Sequence, residues 1–246
     1  MTETRGVPAH ANVEERHSAV LCATFRLSST HPMVLDGRDV ASAVRELDDV
    51  VASFVSEGVS LRGWYDVSGL RNDADLMVVL HGAAVEDLQW GLRQIRRTGL
   101  IRPLIRSWSA VGLANEPAAF DSEPLQWLSV SPASPGLLDF AAFAEFLDLP
   151  GFDEDDALLF PDDIDEQGDD GDAEDFETLD GDIVVHQFAG YGLGDFPWLL
   201  AIEAERLEDL SGVVGELIAD SDGLLLEGPR VTGRLLETAE IIEVLQ

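Results

Sequence analysis

The sequence predicts an α+β fold in which one βαββαβ unit occurs twice, and three observations carry that expectation. Residues 61–90, LRGWYDVSGLRNDADLMVVLHGAAVEDLQW, read as strand, turn, strand and helix start in one unbroken run. Segments with helical apolar spacing precede and follow this hairpin. The stretch also recurs in weaker form: Asp73 falls on Asp195, residues 76–80 on 198–202, and residues 85–88 on 207–210. A repeat at constant offset is the mark of an internal duplication.

Residues 1–17 are polar and aperiodic and are expected to form a mobile tail. Residues 18–27 are an apolar run of strand length. From Arg38 the apolar residues Val40, Val44, Leu47, Val51 and Phe54 follow helical spacing, with Asp39 in the first turn and Gly58 in the stop position. The hairpin comes next. Its strands, 61–67 and 74–80, flank a reversal that contains Gly69. A helix through Val85, Leu88, Leu92 and Ile95 ends near Gly99, and a strand is expected over 101–113. The order is that of one ferredoxin-like unit, residues 18–113.

After a linker, 114–124, a second unit is expected over 125–231. It has a strand at 125–131 and a helix from Pro135 with the stripe Phe140, Phe143, Phe146 and Leu147. Its later elements are strands at 183–188 and 197–202, a helix at 205–219 and a strand at 224–226. Between them lies 153–182, where about half of the residues are acidic and few are aromatic. Such a composition buries too little surface to offset ordering entropy, so a mobile loop is expected, dispensable for folding. Leu235, Leu236, Ala239, Ile242 and Leu245 suggest a C-terminal amphipathic helix over 232–246 that could dock on a neighbour.

The 246 residues, 46% of them apolar, can bury a sizeable core. A net charge of −33 disfavours nucleic acid and anionic lipid as partners. No run of eighteen apolar residues and no apolar leader occurs, so no membrane span and a cytoplasmic location are expected. Cys22, the single cysteine, lies in an apolar strand and reads as a small buried hydrophobe. Arg93, Arg96, Arg97, Arg102 and Arg106 cluster along one helix and the strand after it. A solvated basic face offsetting local acid is the favoured reading, and an anion contact is the other.

The motifs RGWYDVSGLRNDADLMVVLH, VEDLQ, RRTG and SWSAVGL resemble the first half of the chlorite dismutase family, in its coproheme decarboxylase (HemQ-like) branch. GLGDFPWLLAIEA and GPRV resemble pieces of the second half. The resemblance implies two ferredoxin-like βαββαβ repeats packed as a dimeric α+β barrel, haem or coproheme bound in the second repeat, and homopentamers. It also implies a proximal histidine about two dozen residues before the GLGD turn, a region that falls here at 171–174 and holds no histidine. The family's catalytic tyrosine, in a Tyr-Pro step, is matched by Ser131, and the basic residue that follows it by Pro135. Neither can supply a phenoxyl radical or a charge for a propionate.

His186 is the one histidine of the second unit and a weak candidate for a cofactor ligand; Arg230 of GPRV is a weak candidate to hold a propionate. His81 matches a residue common in the resembled motif, and packing or helix entry is its expected role. His10, His17 and His31 give no zinc spacing. Asp163, Asp165, Gln167, Gly168 and Glu174 approach the spacing of a calcium loop, but Gln167 replaces a usual ligand and Asp170 an apolar position, so a solvated spacer is favoured. No resident cofactor is expected on this reading; the chain is a haem-free, degenerate paralogue serving as a binding or assembly subunit. The alternative is a working haem- or coproheme-dependent decarboxylase or peroxidase with a non-standard ligand such as His186. Self-association is expected, as the family's pentamer or as a mixed oligomer with an active paralogue.

Overall fold

The computed structural model describes residues 18–30, 37–114, 120, 122–133, 183–190, 192–220 and 228–245. Its first strand, β1 (Ser18–Arg26), is buried on both sides, which is why SAVLCATFR lacks a period of two. Ala19, Leu21, Ala23 and Phe25 enter a core beneath the helices, whereas Val20 and Cys22 point into a barrel lumen. Cys22 is fully buried, as its apolar setting predicts, and burial pushes its thiol pKa up. α1 (Gly37–Ser53) packs Val40, Val44, Leu47 and Val51 on that outer core. A 3-10 turn, Phe54–Glu57, stops at Gly58, whose φ of 68° is left-handed and suits glycine.

β2 (Val59–Asp66) and β3 (Leu76–Gly82) form the hairpin, and α2 (Val85–Ile95) buries Leu88, Gly91, Leu92 and Ile95. β4 (Ile105–Ala114) begins four residues later than the sequence suggests. Residues 98–104 instead turn, with the Arg102 amide donating to the Thr98 carbonyl at 2.9 Å and the Leu104 amide to the Ile101 carbonyl at 3.0 Å. Ile101 and Leu104 are apolar because they cap the outer core, not because they join a ladder.

β5 (Trp127–Ala133), β6 (Ile183–Ala189), β7 (Trp198–Ala204), α3 (Leu207–Asp220) and β8 (Val231–Leu236) follow. The eight strands close into one barrel in the order β1-β3-β2-β8-β5-β7-β6-β4. Each half is thus laid out fourth, first, third, second. β3 and β7 begin at Leu76 and Trp198, and α2 and α3 at Val85 and Leu207, so the two pairs are separated by the same interval. Closure removes exposed strand edges. One seam pairs Trp64, Tyr65 and Asp66 of β2 with Leu236, Leu235 and Arg234 of β8. At the other, Leu113 of β4 pairs with Ala189 of β6. A Cβ at Gly112 would stand 2.5 Å from Phe188 Cβ, so the approach of the two halves there depends on glycine.

The C-terminal segment corrects the sequence reading. Residues 231–236 are a strand, not the start of a helix, and the helical part is a 3-10 turn, Thr238–Glu240, followed by the short α4 (Ile241–Val244). Leu235 faces the lumen and Leu236 the outer core, so both are apolar and mimic helical spacing. Nor does the segment wait for a neighbour: Ile241, Ile242 and Leu245 pack with Trp64 in the outer core of the same chain. The expected tail (1–17), the helix from Pro135, the acidic stretch 153–182 and the strand 224–226 lie outside the described residues.

Candidate functional site

The lumen holds an ion pair that joins the two halves. In β2 Leu61 pairs with Leu80 and Gly63 with Val79, leaving Arg62 as the extra residue of a bulge. A bulge re-aims its side chain, and here it turns a guanidinium inward. Arg62 Nε donates to Glu203 Oε1 at 2.8 Å and Nη2 to Oε2 at 2.5 Å, and both side chains are almost wholly shielded from solvent. The same guanidinium donates to the carbonyls of Phe120, Ser122 and Glu123, so it also ties down the connection between β4 and β5. Glu203 Oε2 accepts a further bond from the Leu125 amide at 3.4 Å. Two charges buried this deeply are tolerable because nearly every lone pair and proton is matched.

Phe120 seats itself over this pair. Its ring lies 4.8 Å from the Arg62 guanidinium carbon, 4.3 Å from the His186 ring and 5.3 Å from the Phe188 ring, and its φ of 68° is one that non-glycine residues rarely adopt. His81, from β3, meets Phe120 edge-on at 5.9 Å. His186 pairs across β6 and β7 with Ala201, and Ala201 belongs to the lumen cluster. Its Nε2 is buried without a hydrogen-bond partner. Burial, with Arg62 and His81 adding repulsion, pushes its pKa down to about 3, so the ring is neutral. Tyr65 shares the lumen, and burial pushes its hydroxyl pKa up, aided by Glu203 and opposed by Arg62.

The opposite face of the second-half sheet is a different environment. Ser129, Ser131 and Thr232 stand there, with the Thr232 hydroxyl donating to Ser129 Oγ at 3.0 Å. Ser129 and Thr232 line a cavity of about 400 Å³ with Leu207, Leu210, Ser211 and Val214 of α3 and with Arg71 and Arg230. Arg71 forms a two-pronged bridge to Asp73, 2.7 Å on each arm, and donates to the Arg230 carbonyl at 2.6 Å. Asp73 is held below the usual carboxylate range by that hydrogen bond. Arg230 Nε has no hydrogen-bond partner, and desolvation lowers its pKa.

The two weak cofactor candidates are therefore not brought together. His186 points into the lumen, while Arg230 lines the cavity on the far side of the sheet, the side that carries Ser131. Ser131 itself is buried. Pro135, Asp163, Asp165 and Glu174 lie outside the described residues. Among the described residues no cluster of three His, Cys, Asp or Glu could hold a metal. On the Ser131 face the described second-half strands and α3 offer no His, Cys or Met as an axial ligand for a haem, so the described residues do not fit that group.

Arg62, Glu203 and Phe120 were not singled out by sequence reasoning. A signal existed: Arg62 and Glu203 are charges of opposite sign embedded in apolar strands, LRGWY and WLLAIEA. A charge buried on both sides of a sheet requires a partner.

Fold and lumen together define an eight-stranded α+β barrel whose halves repeat one strand order and are stapled by an internal ion pair. The chain belongs to the chlorite dismutase family. Over 224 residues it is 31% identical to the coproheme decarboxylase of Mycolicibacterium smegmatis, covering 86% of this chain and 87% of that protein. The family model for chlorite dismutase matches residues 40–136. Among solved structures, a candidate chlorite dismutase superposes with a TM-score of 0.66 at 17% identity, covering 94% of this chain and 100% of the other. The chlorite dismutase of Candidatus Nitrospira defluvii in complex with imidazole gives 0.64 at 21%, covering 95% and 97%. At such identities the structural likeness speaks for the fold. Among the described residues no helix is long and apolar enough to cross a membrane.

Proposed function

We propose that this chain is a catalytically degenerate relative of the coproheme decarboxylases: a haem-free barrel of two ferredoxin-like repeats, the intramolecular form of a dimeric α+β barrel, kept as a cytoplasmic binding or assembly subunit. The carrying observation is the placement of His186. It is the single histidine of the second half, and it stacks on Phe120 in the lumen, on the other side of the sheet from Ser131. With serine at the family's tyrosine position, no phenol stands there to form a radical. A fold outlives its chemistry readily, since the barrel depends on core and pair residues that the reaction does not use.

Purified protein mixed with ferric coproheme is expected to leave the Soret band at its free position, and added peroxide to give no decarboxylated porphyrin by mass spectrometry. Ser131→Tyr alone is expected to restore nothing, because a phenol without held iron has no oxidant to accept an electron from it. Turnover by the unaltered protein would overturn the proposal. A Soret shift lost in His186→Ala, or in Tyr191→Phe at the second half's one tyrosine, would point to a non-standard ligand instead.

Assembly is the role left to the scaffold, with the family's pentamer or a mixed oligomer with an active paralogue as its form. Light scattering at physiological salt, which screens the charge of −33, is expected to give a mass well above the 26.7 kDa of one chain. A clean monomer at micromolar concentration, alone and with an active family member, would remove this part of the proposal.

A further inference from the structure

The arginine cluster of the first half is not absorbed by the function proposed above. Gln89, Leu92 and Arg93 of α2 and its C-cap Arg96 lie at i, i+3, i+4 and i+7 and form one wall of a cavity of about 260 Å³. Arg106, Ser109 and Val111 of β4 form the facing wall, and Leu21 lies between them. The floor is thus apolar and the rim carries three guanidinium groups. Among the described residues no acidic side chain lines the cavity, in a chain with 48 Asp and Glu against 15 Lys and Arg.

Among the described residues none of Arg93, Arg96 and Arg106 has an ion-pair or side-chain hydrogen-bond partner. The helix dipole accounts for part of the pattern, since Arg93 and Arg96 stand at the C-terminal end of α2, where cations are favoured. It does not account for Arg106, which comes from a strand and lines the same cavity. Three like charges around one hollow repel each other unless something negative sits between them. The overall charge of −33 does not forbid this, because beyond about 8 Å at physiological ionic strength remote charges are screened and the local three decide.

We infer that this groove binds a phosphate monoester carried on a short apolar body. The three guanidiniums can each present paired donors to phosphate oxygens, a geometry arginine matches better than lysine. Gln89 and Ser109 add neutral hydrogen-bonding groups, and Leu21, Leu92 and Val111 receive the apolar part. The volume admits a phosphate and a few carbons and is too small for a macrocycle.

The test uses the full chain, with hexyl phosphate as probe and hexanoate and inorganic phosphate beside it, followed by calorimetry and by the arginine Nε–H signals in NMR. Hexyl phosphate is expected to bind more tightly than either other probe and to move the Arg93, Arg96 and Arg106 signals but not that of Arg102. Arg96→Gln and Arg106→Gln are each expected to weaken it about three- to tenfold, and Arg96→Lys less, with Arg102→Gln without effect. All four positions are exposed, so melting temperatures should stay level and report intact folding. Binding unchanged in the Arg96→Gln/Arg106→Gln double variant, absence of binding at low salt and millimolar probe, or equal affinity for inorganic phosphate would overturn the inference.

Discussion

Arg62→Met is expected to cost about 3–5 kcal/mol of stability, the range for removing one member of a buried ion pair. That is a large share of the roughly 5–15 kcal/mol that holds a typical domain together. The reason lies in what remains. Glu203 has 0% of its surface exposed, and without Arg62 it keeps, among the described residues, only the long bond from the Leu125 amide, while three carbonyls of the 120–123 connection lose their donor. Urea unfolding of Arg62→Met, Glu203→Leu and the double variant measures this directly. The double variant is expected to be more stable than either single one, because replacing both charges by apolar groups leaves no orphan. Amide exchange should quicken at residues 122–125 in Arg62→Met, since the guanidinium is what binds them to the barrel. A loss below about 1 kcal/mol would mean that water reaches the pair and that it is not the staple described here.

The same pair shows where sequence reasoning reached and where it stopped. Period and turn chemistry gave α1, the hairpin, α2 and the recurrence at β7 and α3, because each of these buries one face or carries its own stop signal. Gly58 ends a helix in any context that permits φ near 68°. Two kinds of element were not legible. β8 is covered on both sides, so Leu235 and Leu236 carry no alternation and were continued into the helix that begins only after Glu237. Arg62 depends on a bulge, and a one-residue insertion into a ladder leaves no trace in a pattern of apolar residues.

For the site, the resemblance to the family points to Ser131 and to the histidine-free stretch 171–174, which lies outside the described residues. It could not say on which face of a strand His186 would fall. That is a question of register: a slip of one residue would have sent its ring to the Ser131 face. Arg230 was legible as a member of GPRV, but its separation from His186 by the thickness of a sheet was not. The arginine cluster was visible as a run of charge, whereas the convergence of Arg106 with Arg93 and Arg96 comes from the packing of β4 beside α2.

His186 gives the second large effect, and its sign is set by the direction of its shift. The folded ring titrates near 3 and the unfolded one near 6.5. Between these values the unfolded chain binds the extra proton, so the neutral ring's contribution is fully present above pH 6.5 and is lost progressively as pH falls toward 3. At pH 5 the linkage amounts to roughly 2 kcal/mol against neutral pH. Carboxylates of this acidic chain titrate in the same window, so the measurement must be a difference. Unfolding free energies of the wild type and His186→Leu, followed from pH 7.5 to 4.5, are expected to converge or cross as pH falls, with the wild type losing the more. The leucine variant also removes the unpartnered Nε2 from the lumen, and its packing against Phe120 and Phe188 replaces the ring contacts, so it is expected to lose little at neutral pH. Parallel pH profiles for the two proteins would show that the ring is protonated or hydrated in the folded state, and the filled lumen described here would then be wrong at its centre.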